Sequence, residues 1–116
     1  MSSAPPSSHL STQSLLPTAI KAWESYLRDQ GRSPNTIKAF LSDVNLLAGF
    51  LPADRTLGAL TTAELNRFFT WLEKERDVPC SPKTLARRIT SVKSLFRWLH
   101  QFGVLVVDPA EAVAQR

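Results

Sequence analysis

The stretch that decides the fold is Ser81-Pro82-Lys83-Thr84-Leu85-Ala86-Arg87-Arg88-Ile89-Thr90-Ser91, continuing through Leu95-Phe96-Arg97-Trp98-Leu99. Ser81 suits a helix N-cap, and Pro82 suits the first turn, where a missing N–H costs nothing. Leu85, Ile89, Val92, Phe96 and Leu99 then fall within about 40° of one direction at 100° per residue, which predicts a buried stripe. Gly103 is the expected stop, because glycine takes the left-handed cap without strain.

The same opening occurs earlier as Ser33-Pro34-Asn35-Thr36. It predicts helix 2, with Ile37, Phe40, Leu41, Val44, Ala48 and Leu51 on its apolar side and Pro52 as its limit. Ahead of it, residues 17–30 predict helix 1, with Ile20, Trp23 and Leu27 on one face and Gly31 as its stop. Thr61 and Glu64 form a capping-box pattern that opens helix 3, continued by Leu65, Phe68, Phe69 and Leu72. Helix 4 is the 81–101 stretch. Asp108-Pro109-Ala110-Glu111 repeats a cap, proline and carboxylate, and predicts a short fifth helix. Alternating strand patterns are lacking. The expected fold is all-α, a small orthogonal bundle of four helices with a fifth starting at the C-terminus.

Composition limits the possible functions. The chain has 116 residues, 43% of them hydrophobic and 21% charged, which suits one globular domain with a tail. Residues 1–14 hold six serines and two prolines without periodicity, so they are expected to be a flexible leader. Residues 15–107 are the expected helical domain, and 108–116 a terminal helix or the start of a linker. Cys80 is the single cysteine, which excludes an internal disulfide or a cysteine-cluster zinc site. No apolar run approaches ~18 residues, so no membrane span is expected. The leader lacks the pattern of a secretory signal, and the expected compartment is the cytoplasm.

Catalytic patterns are missing. His9 and His100 have no neighbours at metal-ligand spacing, and no nucleophile-elbow, phosphate-loop or dinucleotide glycine motif is present. The run from Glu73 to Asp77 reads as a solvated helix end, and Cys80 lacks an activating partner. The expected catalytic residues, metals and cofactors are therefore none.

Charge placement is more informative than net charge, which is only +4. Residues 78–107 contain Lys83, Arg87, Arg88, Lys93 and Arg97 and no acid. On a helical wheel Lys83, Arg87, Thr90, Ser91 and Ser94 lie opposite the apolar stripe, with Arg97 flanking and Arg88 and Lys93 at its border. Long bases among short hydroxyls suit contact with phosphates and base edges. Since Lys83 and Arg87 lie off the stripe, their removal is expected to change stability by no more than about 0.5 kcal/mol. Asn35, Lys38 and Ser42 share the polar side of helix 2, bordered by Thr36, and its first-turn amides could receive a phosphate. Trp98, Leu46 and Phe50 fall away from the predicted core, which makes them a candidate partner or interdomain surface, with Trp98 open to cover by the 104–113 segment.

With helices 2 and 4 placed, the chain resembles the N-terminal core-binding domain of tyrosine recombinases: the phage-integrase family, with Xer-like members, often described as SAM-like. The resemblance covers about residues 15–113. It is carried by Ser33 to Phe40 with Asp43 and Leu47, by Leu60 to Leu65, by Ser81 to Ser91 and Leu95 to Leu99, and by Asp108-Pro109-Ala110. Phe40 stands where the family often has tyrosine, and Asp108-Pro109 where it more often has Asn-Pro.

The resemblance implies a domain that grips double-stranded DNA from one side, in DNA integration or recombination, with helices 2 and 4 near the major groove. It implies Thr36, Lys38, Lys83, Thr84, Arg87, Arg88 and Ser91 as DNA-facing residues. Further implied partners are a C-terminal catalytic domain of the same full-length protein and other protomers in a synaptic complex. The family's catalytic residues cannot be mapped here, and Tyr26, the only tyrosine, does not match the nucleophile's context. Two rivals remain open at this point: a helical protein-interaction module, and a helix-turn-helix regulator whose recognition helix is 81–101.

Overall fold

The computed structural model describes residues 9–76, 78 and 80–115. Among these residues four α-helices make the framework: α1 Leu16–Asp29, α2 Pro34–Phe50, α3 Thr62–Thr70 and α4 Pro82–Gln101. Each start and stop follows local chemistry. The Ser33 and Ser81 hydroxyls accept the Thr36 and Thr84 amides, both at 3.2 Å, and a proline follows each cap. Thr61 does the same for the Glu64 amide at 3.2 Å. Helix α1 ends at Gly31 (φ +75°) and α4 at Gly103 (φ +79°), the left-handed positions expected of glycine. Helix α2 stops because Leu51 precedes Pro52 and is extended, at ψ 155°, as the proline ring disfavours a helical residue before it.

The core lies between α1, α2 and α4, closed at one end by α3. Trp23 of α1 stacks on Phe40 of α2, with ring centres 5.6 Å apart and 12° between planes. Every residue of the predicted α4 stripe is buried, together with Leu95 and Trp98. Each large apolar side chain of this kind contributes about 1.5–3 kcal/mol by leaving water.

Several details differ from the sequence reading. Leu57–Ala59 forms a 3₁₀ turn that carries Leu57 into the core. Helix α3 widens into a π turn over Trp71–Glu75, closed by a 2.8 Å bond from the Arg76 amide to the Trp71 carbonyl. Residues 9–14, expected within the flexible leader, are tied to the domain: Leu10 is buried and the Leu57 and Gly58 amides donate to Ser14 and Thr12 carbonyls, each at 2.9 Å. The rest of that leader, residues 1–8, lies outside the described residues. A Cβ on Gly58 would sit 2.8 Å from the Thr12 Cβ, so the contact requires glycine.

The expected fifth helix is absent from residues 108–115. Its cap forms, with Asp108 Oδ1 accepting the Ala110 amide at 2.9 Å. The chain then makes two successive i+3 turns. Thr62 donates to the Pro109 carbonyl at 2.6 Å, and Ala110 and Val113 are buried against the bundle. A helix nucleus of one turn is unfavourable, and here these tertiary contacts take its place.

Candidate nucleic-acid interface

The centre of the α2–α4 contact is an acid. Asp43 is 0% exposed, in the middle of a helix face that is otherwise apolar. Its carboxylate accepts two bonds from Arg87, from Nε at 3.1 Å and Nη2 at 2.6 Å, and one from Ser91 Oγ at 2.7 Å. Arg88 Nε stands 3.7 Å away. A buried carboxylate is tolerable only when charge and hydrogen bonds compensate it, and α4 supplies both. In return, the hydrogen bond to Asp43 raises the Arg87 pKa above its ordinary value, against a smaller opposing effect of burial. Its positive charge is permanent.

This clamp fixes how the two helices cross. Phe40 shares a cleft with Ser94 and Trp98, whereas Asp43, three residues on, meets Arg87 and Ser91. Helices α2 and α4 therefore run in opposing senses at their contact. Each exposes its outer side near its capped start.

The seven residues expected to face DNA separate into three groups. Lys38 and Lys83 are exposed, and neither makes an ion pair among the described residues. Thr36 and Thr84 are half-buried, and their hydroxyl oxygens accept from Ser33 and Ser81 at 2.8 and 3.0 Å. Arg87 is at the boundary: its side chain is 49% exposed while its inner edge holds Asp43.

Ser91 and Arg88 are corrections. Ser91 is 0% exposed, because the wheel position opposite the stripe is covered by α2, and its hydroxyl is spent on Asp43 and the Arg87 carbonyl. Arg88 is only 15% exposed, directed to Asp43 and to Cys80 Sγ at 3.3 Å. Both polar groups are turned inward, toward Asp43.

The expected partner surface is corrected at Trp98. Trp98 is 3% exposed, packed against the rings of Tyr26 of α1 and of Phe102. Phe50 packs on Phe68 and Trp71, and Leu46 is half-buried against the core. The wheel misplaced Trp98 because it assumes one buried face, whereas α4 contacts both α1 and α2.

The sequence reading missed Asp43 as the organising residue, and the Arg55–Glu64 pair at 2.9 Å that holds the α2–α3 connection. An acid three residues after Phe40 and four before Leu47 was the available signal. Among the described residues no group of three or more His, Cys, Asp or Glu could hold a metal. Among the same described residues, no helix is long and apolar enough to cross a membrane.

An all-α bundle with two capped, basic helix starts matches a known class. Residues 20–103 match the phage integrase, N-terminal SAM-like domain, and the chain belongs to that family. Among individual relatives, it is 40% identical over 94 residues to the tyrosine recombinase XerC of Mycobacterium bovis (strain BCG / Pasteur 1173P2), covering 78% of this chain and 30% of the relative. It is 34% identical over 95 residues to XerC of Mycobacterium sp. (strain JLS), covering 80% and 31%. It is 33% identical over 81 residues to the tyrosine recombinase XerD of Listeria innocua, covering 70% and 27%. The chain thus spans under a third of the length of these curated relatives. No solved structure matches it.

Proposed function

We propose that this domain is the non-catalytic DNA-binding part of a tyrosine recombinase, and that it meets duplex DNA through the outer sides of α2 and α4. The observation that carries the reading is the pair of matched Ser-Pro-x-Thr helix starts, locked by the Asp43 clamp, with Lys38, Lys83 and the outer edge of Arg87 in water. Lys38 and Lys83 neutralise phosphates, Thr36 and Thr84 approach the backbone beside them, and Arg87 adds a held guanidinium. Arg88 and Ser91 act from behind, by fixing Asp43. A catalytic domain elsewhere in a full-length protein supplies strand cleavage, and other protomers complete the synaptic complex. The cytoplasm, shared with a bacterial chromosome, is the corresponding compartment.

The domain alone forms half of a clamp, so its affinity is expected in the range of roughly 1–100 µM at physiological salt, as for non-specific contacts. It is expected to form no covalent adduct with a nicked duplex. The test is titration with duplex DNA at several salt concentrations, for the wild type, Lys38→Ala and Lys83→Ala. Each substitution should weaken binding and flatten the salt slope by about one unit. Salt-independent binding, or substitutions without effect, would refute the reading.

A further inference from the structure

Two open clefts meet at Arg32, in the turn between α1 and α2. One, of about 530 Å³, is lined by Arg28, Arg32, Lys38, Ser42 and Asn45 over an apolar floor. The other, of about 300 Å³, runs toward α4, with Arg32, Arg97, Ser94 and Gln101 around the aromatic floor of Trp23 and Trp98. Neither cleft is lined by an acid. Arg28 is paired with Glu24, but Arg32, Lys38 and Arg97 make no ion pair among the described residues. Arg97 borders Asp108 and Glu111 on its other side and bonds to neither. The indole N–H of Trp98 is buried without a hydrogen-bond partner.

We propose that Arg32 and Arg97 form a second phosphate-binding track, which extends the DNA contact from Lys38 across the α1–α2 turn to the later half of α4. The inference rests on the DNA-binding reading above and adds residues it does not use. Uncompensated guanidinium groups favour phosphodiester oxygens, which they can meet with paired N–H donors. Cations strung along two communicating open clefts suit successive phosphates of a backbone better than one compact anion. The half-buried rings of Tyr26 and Phe40, which line the second cleft beside Trp23 and Trp98, give the intervening sugar an apolar surface.

The chain carries its own reporters. It has three tryptophans; Trp23 and Trp98 line the second cleft, while Trp71 lies at the π turn after α3 and lines neither cleft. Addition of a short duplex should shift the Trp23 and Trp98 indole signals in ¹H–¹⁵N spectra and leave that of Trp71 in place. Arg32→Ala and Arg97→Ala should each reduce the salt slope of duplex binding by about one unit. The control double variant Arg67→Ala/Lys74→Ala removes the same total charge as Arg32→Ala/Arg97→Ala, and should lose clearly less affinity. If the two double variants behave alike while Lys83→Ala still weakens binding, the track is wrong and the α2–α4 reading stands. If the wild type shows no salt-dependent duplex binding, both fall. If inorganic phosphate alone reproduces the indole shifts at equal phosphate concentration, the clefts hold a small anion, and the backbone assignment is overturned.

Discussion

Arg87→Ala separates the structural account from the wheel-based expectation most sharply. On the wheel Arg87 is an exposed base whose loss changes stability by about 0.5 kcal/mol or less. In the structure its removal deletes two of the three hydrogen bonds to a carboxylate with no access to water. Hydrogen bonds to charged groups contribute about 1.5–3 kcal/mol each. That figure must be discounted, because half of the Arg87 side chain is in water and screened, and Arg88 remains 3.7 Å from the acid. The expected cost is about 2 kcal/mol for the pair of bonds. For a domain of this size that lowers Tm by about 8 °C. Thermal melts by circular dichroism, with urea titration for free energy, read it directly. Asp43→Ala should cost about 3 kcal/mol, since it strands buried Arg88 as well. The double variant should show a coupling of about 1–2 kcal/mol. An Arg87→Ala melt within about 2 °C of wild type, with no coupling to Asp43, would refute the clamp.

Three other outcomes follow from the same contacts. Ser91→Ala should lower stability by about 1–2 kcal/mol in urea titration, because the buried carboxylate loses its 2.7 Å donor. Ser33→Ala and Ser81→Ala should each cost about 1 kcal/mol and fray the first turns of α2 and α4, seen as faster amide exchange at Thr36 and Thr84. Trp98→Ala should cost about 3–5 kcal/mol, as expected of a core aromatic; a loss below about 1 kcal/mol would restore Trp98 as a surface residue.

Local signals in the chain were strong where they were chemical and directional. The serine caps, the two stop glycines and the proline after Leu51 place three of the four helices to within about one residue, and the α4 stripe is buried as its spacing requires. The failures have a common cause. A wheel has one inside and one outside, but α4 packs on α1 with Trp98 and on α2 with Ser91. Residues on two faces are therefore buried, and Ser91 leaves the list of DNA-facing side chains. Asp43 was legible only as a charge among apolar neighbours; its partners lie 44 and 48 residues away, a distance no local pattern spans. Thr62 engages the Pro109 carbonyl across 47 residues, and so the expected fifth helix is replaced by turns.

The central claim is that α2 and α4 face DNA, and backbone amide shifts during a duplex titration test it most directly. The account predicts shifts concentrated at the starts and outer sides of Pro34–Phe50 and Pro82–Gln101, strongest near Lys38 and Lys83 and fading as salt rises. Shifts centred on Thr62–Thr70, or spread evenly over all four helices, would contradict it.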